Sequence, residues 1–281
     1  MHKNHDSIYN NMFYGSPPIV TSGLVVYYDP ANSLSAQSGS SIVNDIGGLN
    51  NMPQTMSVLT TYGGNTSASF NPSYGGVLQF DGTGSYTRCP IITSNLSSSM
   101  QNGNAKSIFA WVNAKLSYSQ SLYDTRLVNY NDPDGVDWCN LLYTGDYAAS
   151  TSFFQFGGTC NANTNWGFTG GPLYASTAGT YLTNGVPCNQ WVYIGWTYDT
   201  LVTFQCYYNG VPIAHGQQPG HLTPANSGDT GLLLGAKTDT TSANTLFFPG
   251  LMGPVQIYNR ALPQAEVLQN YNAQKSRFNL Q

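Results

Sequence analysis

Apolar and polar positions alternate in short runs along most of this chain. "LVVYYD" (Leu24 to Asp29), "VLQFDG" (Val77 to Gly82) and "LLLGAK" each have the length and composition of a β-strand. "SIFAWVNA" sets Ile108, Ala110 and Val112 on one face and Phe109 and Trp111 on the other. Both faces are apolar, which predicts a central strand packed on both sides. "WVYIGWTYD" repeats the pattern, with Val192, Ile194, Trp196 and Tyr198 sharing a face. "VTFQCYYNGVPIAHG" is two strands around Asn209-Gly210, the strongest short hairpin signal, because both turn residues need positive φ. "FFPGLMGPVQIYN" supplies the last strand. Convincing helical periodicity begins only after Leu262: Pro263 suits a first turn, and Val267, Leu268 and Tyr271 make an apolar stripe. The helix is expected to turn back over a sheet edge or one end of the strands, hiding a template for strand addition.

Many strands, turn signals and one helix predict an all-β fold. It is an antiparallel β-sandwich of the jelly-roll type with a short C-terminal helix. The 281 residues suit one such domain. Met1 to about Thr21 has no consistent period, so residues 1–22 are expected to form an extended N-terminal arm and residues 23–281 the sandwich. Ile8, Tyr9, Met12, Phe13 and Tyr14 are the arm's candidate anchor to a partner subunit.

Composition narrows the function. Charged residues are 8% of the chain, so Ser, Thr, Asn, Gln, Gly and Tyr must cover its surface. Twenty Tyr and twelve Phe argue against disorder. Such surfaces suit a protein held in a large assembly or one that meets sugars. The nine cations are scattered, with Lys275 and Arg277 the closest pair, which disfavours nucleic acid and a polybasic membrane anchor. The first residues are polar and predict no signal peptide and synthesis in the cytoplasm. No run is long enough to span a membrane. Cys89, Cys139, Cys160, Cys188 and Cys206 show no CxxC spacing, which disfavours zinc. Their odd number leaves at least one without a partner in the chain. Cys206, between Phe204 and Tyr208, is expected to be a buried thiol.

Three groups of residues carry candidate chemistry. Asp132, Asp134 and Asp137 crowd the turn "NDPDGVDWCN", where calcium would relieve their repulsion; the alternative is a solvated turn in which they cap backbone amides. Asp29, Asp81 and Asp199 end strands and are expected to make turn hydrogen bonds. Trp138, Tyr143, Tyr147 and Trp166, with Asn161, Asn163 and Asn165, supply aromatic faces and amides for a sugar, and would equally suit a subunit interface. Glu266 is the only glutamate and falls in the helix, so the paired carboxylates of a glycosidase are not apparent. "GTGSYT" follows a strand but opens no helix, which excludes a phosphate loop.

Taken in order, "SGLVVYYDPANSLS", "LQFDGTGSYTRCP", "SIFAWVNA", "QWVYIGWTYD", "CYYNGVPIA" and "FFPGLMGPVQIYNRALPQAEVLQNYNAQKSRF" resemble the laminin-G-like branch of the concanavalin A-like lectin/glucanase fold. The likeness covers about Gly23 to Phe278. It implies that the first and last strands share a sheet, and that calcium often sits on the rim. Glucanases of this fold carry E-x-D-x-E or E-x-D-x-x-E on one strand, which this chain lacks. The opening and closing phrases further resemble laminin-G-like modules in virion proteins of tailed bacteriophages. That resemblance implies a non-enzymatic virion protein (a decoration, fibre or tail component) with other virion proteins and its own copies as partners, a trimer being one expectation. The alternative is a carbohydrate-binding adhesin, with or without calcium, for host-surface polysaccharide; a glycoside hydrolase is disfavoured.

Overall fold

A computed structural model describes residues 18–35, 42–44, 46, 55–57, 68–89, 105–115, 125–131, 137–145, 153–159, 186–199, 203–217, 231–236 and 247–281. Two sheets of eight strands pack face to face. The first runs β14 (Val211–Gln217), β13 (Thr203–Tyr208), β12 (Val192–Tyr198), β7 (Lys106–Ala114), β16 (Pro249–Tyr258), β5 (Val77–Asp81), β4 (Ser69–Asn71). β1 (Leu24–Tyr28) also pairs with β16. The second runs β11 (Val186–Pro187), β10 (Phe153–Thr159), β9 (Asp137–Gly145), β8 (Thr125–Asn131), β15 (Gly231–Leu234), β6 (Thr87–Cys89), β3 (Thr55–Ser57), β2 (Ile42–Asn44). The described pairings are antiparallel, as the alternating pattern requires. The first and last strands do share a sheet: β16 gives its second half to β1 and its first half to β5 along one edge, with β7 on the other.

The faces of β7 divide as the alternation predicted. Ile108, Ala110, Val112 and Ala114 enter the core between the sheets, where they meet Leu127, Val128, Leu141, Leu232 and Leu234 of the second sheet. Cys206 lies there too, as a free and fully buried thiol that burial makes hard to ionise. Phe109 and Trp111 face outward and join Tyr193, Tyr207 and Tyr258 in a second cluster. Phe109 stacks on Tyr193 with ring centroids 5.2 Å apart. Its ring also lies beside Gly195, directly across the ladder. The hairpin forms at Asn209 (φ 49°) and Gly210 (φ 80°) as the sequence required.

The helix α1 (Gln264–Gln274) lies across the outer face of the first sheet, over this aromatic cluster, and reaches the β13–β14 hairpin at that sheet's edge, in keeping with the expected edge cover. Its apolar stripe is the packed side only in part: Val267 is buried and Tyr271 stacks on Trp111 with ring centroids 5.6 Å apart, whereas Leu268 is exposed. Beside Val267 the helix buries Asn270, Ala273 and Gln274. The reason lies in the sheet, which presents phenols and an indole N–H that need hydrogen-bond partners. The Trp111 Nε1 donates to Gln274 Oε1 at 2.8 Å, and Gln274 Nε2 donates to the Tyr27 hydroxyl at 2.9 Å. Asn270 closes a second circuit. Its Nδ2 donates to Tyr258 Oη at 2.9 Å, Tyr258 donates to Val20 O at 2.9 Å, and Val20 N donates back to Asn270 Oδ1 at 2.8 Å. Ile19 and Val20, on the arm side of the boundary drawn from sequence, are therefore buried against the helix.

Two expectations follow. A β-carbon at Gly195 would stand 2.2 Å from Ile108 O and 2.3 Å from a Phe109 ring carbon. Gly195→Ala should lower stability by about 1–3 kcal/mol, read from denaturant unfolding. Burial is the first cause that raises the phenol pKa values of Tyr27, Tyr193 and Tyr258 above the ordinary value. Unfolded phenols ionise near pH ~10, while these stay protonated in the native state to higher pH. Stability is thus full below about pH 10 and falls as pH rises beyond it. Unfolding midpoints between pH 8 and 12 should show that decline, and Tyr258→Phe should make it shallower.

Candidate functional site

Asp29, Asp81 and Glu266 are held in structural contacts. Asp81 Oδ1 accepts the backbone N–H groups of Thr83, Gly84 and Ser85 at 2.8–3.0 Å, and the Ser85 hydroxyl at 2.8 Å. The Asp-Gly signal is therefore a capped corner, which carries the chain from β5 in the first sheet to β6 in the second. Asp29 Oδ1 accepts from Ala31 N at 3.0 Å, and its Oδ2 accepts from the Tyr27 hydroxyl at 3.0 Å. Asp29 also forms a 2.6 Å ion pair with Arg277, whose side chain is 7% exposed against 14% for Asp29. Arg277 donates further to the carbonyls of Tyr74 and Gly76. One line of polar contacts thus runs from Trp111 through Gln274, Tyr27 and Asp29 to Arg277. Neither Gln274 nor Arg277 was singled out by sequence reasoning, because both partners are long-range.

Glu266 sits in the first turn of α1, where the helix dipole favours a negative charge. Its Oε2 accepts from Arg260 NH1 at 2.6 Å, and Arg260 Nε donates to Ser22 O at 2.9 Å. The only glutamate therefore fastens the helix start to the segment that precedes β1. Both partners are nearly a third exposed, so the pair contributes at most about 1 kcal/mol.

The sugar-binding candidates belong to the second sheet, and backbone register divides them. Asp137 and Trp138 open β9 in a strand, not in the loop that the sequence suggested, with Asp137 opposite Asn131 of β8. Tyr143 stands near the other end of β9, between Thr125 of β8 and Phe156 of β10. Five strand positions separate it from Trp138, or about 17 Å. β10 ends at Thr159, opposite Asn140, so the chain leaves toward Asn161 from the Trp138 end. The β9–β10 connection that includes Tyr147 starts at Gly145, from the Tyr143 end. Trp138 and Tyr143 thus stand toward opposite ends of β9. Tyr147, Asn161, Asn163, Asn165, Trp166, Asp132 and Asp134 lie outside the described residues, as do Ile8, Tyr9, Met12, Phe13 and Tyr14 of the arm. Asp132 and Asp134 fall within the β8–β9 hairpin connection, which Asn131 and Asp137 close. Among the described residues no three His, Cys, Asp or Glu stand together as metal ligands.

Residues 81–268 match the model of the concanavalin A-like lectin/glucanases superfamily. The chain belongs to that superfamily. No curated protein matches this lectin/glucanase-like chain at a significant level. Among solved structures, Trypanosoma rangeli sialidase in complex with sialic acid is similar over 97% of this chain and 38% of its own, with 16% identity and a TM-score of 0.62. The botulinum neurotoxin serotype D binding domain is similar over 91% of this chain and 53% of its own, with 10% identity and a TM-score of 0.54. The receptor binding domain of a botulinum neurotoxin C/D mosaic serotype gives 91%, 52%, 10% and 0.55 respectively. At these identities the likeness is one of fold. Among the described residues no helix of this superfamily member is long and apolar enough to cross a membrane.

Arg277 joins the end of the chain to its first strand and to the Ser73–Gly75 turn, where Tyr74 adopts φ 56°. Arg277→Ala would leave Asp29 as an unpaired, largely buried carboxylate. The expected loss is about 3–5 kcal/mol, measured by urea unfolding.

Proposed function

We propose that this chain is a non-enzymatic binding module carried on a tailed-phage particle, with its second sheet and attached loops meeting host-surface polysaccharide. One observation carries the direction of binding: α1 and the C-terminal turn occupy the outer face of the first sheet. That face offers no open platform where the helix lies. The aromatic and amide residues suited to sugars belong instead to β9 and to the connections flanking it and β10. Trp138 and Trp166, with Asn161, Asn163 and Asn165, offer indole faces and amides. Loops at sandwich ends are where such domains commonly recognise ligands.

The non-enzymatic reading is supported by Glu266, which is paired with Arg260 beside the segment before β1. Asp29 and Asp81 are likewise engaged in turns and an ion pair. The particle setting rests on the opening and closing phrases of the sequence and on its sparse charge. In this reading Ile8, Tyr9, Met12, Phe13 and Tyr14 of the arm contact other virion proteins, and copies of the chain associate with one another. Asp132, Asp134 and Asp137 form a calcium site on the rim, near the start of β9. A free-standing calcium-dependent adhesin is the second reading, favoured by the same hairpin of three carboxylates.

Binding of purified host polysaccharide to the full chain tests this proposal. Trp138→Ala and Trp166→Ala should each weaken binding on the order of tenfold, or about 1.4 kcal/mol. A chelator should weaken it if the rim carboxylates hold calcium. Silence across host polysaccharides would remove the recognition role, and release of new reducing ends by pure protein would overturn the non-enzymatic one.

A further inference from the structure

Asn-Gly pairs stand at Asn102, Asn184 and Asn209. In such a pair the glycine amide has no neighbouring β-carbon to shield it, and it can close a ring with the asparagine side chain. The glycine nitrogen attacks Cγ, a new N–C bond replaces the Cγ–Nδ2 bond, and the proton from the backbone nitrogen leaves with ammonia. Water then opens the succinimide at either carbonyl, giving Asp or the backbone-lengthened isoAsp. Ring closure has two requirements. The asparagine must turn about its Cα–C bond until Cγ meets the next nitrogen, and a base must reach that N–H.

At Asn209 the fold obstructs both. Asn209 and Gly210 form the two-residue turn between Tyr208 and Val211, with φ of 49° and 80°. Asn209 N donates to Tyr193 O at 2.8 Å, and Tyr193 N donates to Asn209 Oδ1 at 2.9 Å. The side-chain carbonyl is therefore pinned to β12. Gly210 is buried, which keeps a base from its amide. The helix closes over the turn: a β-carbon on Gly210 would lie 3.2 Å from Leu268 Cα and 3.2 Å from Tyr271 Cβ. The backbone has room to turn only when α1 is lifted. What seats α1 lies further along its buried side, at Val267, Asn270 and Gln274.

We propose that Asn209 is a deamidation site gated by α1, closed while the helix is seated on the sheet and open to succinimide formation when the helix lifts. The conversion runs one way. IsoAsp adds a carbon to the main chain of a turn that touches the helix backbone, so α1 cannot return to the same seat. An undocking of the helix is thus recorded in the covalent chain, whatever the second sheet binds.

Peptide mapping of the full chain by mass spectrometry, with enzymatic methylation to mark isoAsp, tests the proposal. In urea the three Asn-Gly pairs should convert at comparable rates. In the folded chain Asn209 should convert more slowly than in urea, on the order of tenfold or more, because it reacts only from the opened state. Val267→Ala and Gln274→Ala each remove a contact that seats the helix. Both should speed conversion of Asn209 by the factor by which they speed hydrogen exchange of the α1 amides, with peptides from β7 and β16 unchanged. Conversion of Asn209 in the folded chain at the urea rate would overturn the proposal. So would variants that speed α1 exchange and leave conversion unaltered, or α1 exchange that neither variant changes. Conversion that follows exchange of β7 in place of α1 would also overturn it, by assigning the reaction to global unfolding.

Discussion

The outer face of the first sheet must be covered, and the arrangement of the chain ends follows from that. Phe109, Trp111, Tyr193, Tyr207 and Tyr258 form a continuous aromatic layer. Burying each ring is worth about 2–3 kcal/mol relative to leaving it in water. A purely apolar cover would strand the Trp111 indole N–H, at a cost of about 1–3 kcal/mol, and would leave the Tyr27 and Tyr258 oxygens without the amide donors they accept from. The helix resolves both demands by presenting Val267 and Ala273 together with the amides of Asn270 and Gln274. Buried amides on a helix thus answer buried phenols on a sheet.

The same contact ties together positions far apart in the chain. Asn270 fixes Val20, Gln274 reaches Tyr27, and Arg277 reaches Asp29 and the Ser73–Gly75 turn. The last turn therefore closes over the first strand through directional contacts. Because these contacts are directional, they define one angle and one register for the helix. With this face occupied by structure, the second sheet and the sandwich ends carry the long connections rich in aromatic and amide side chains, and the proposed recognition is assigned to them.

The candidate site was only partly legible in sequence. Residue types suited to sugar were visible, but their grouping was not. Trp138 and Tyr143 look adjacent in a list, whereas an extended strand carries them to opposite ends of β9. The carboxylates were easier to interpret: Asp81 before Gly82 reads as a turn cap and is one. Gln256, Gln274 and Arg277 carried no local signal, since a polar residue in a strand or helix ordinarily signals solvent. Each makes its contact with a residue more than sixty positions away.

By itself the sequence determined what short-range rules govern. Alternation set the strands, Asn209-Gly210 set the hairpin, and the two apolar faces of "SIFAWVNA" announced that something must lie on either side of it. The identity of that cover was decided by tertiary structure alone. Periodicity pointed Val267, Leu268 and Tyr271 inward, yet Asn270 and Gln274 share the buried side and Leu268 turns to the hairpin. Hydrophobic patterning assumes an apolar host surface, and here the host surface carries hydroxyl and N–H groups whose need for partners outweighs the burial of one leucine.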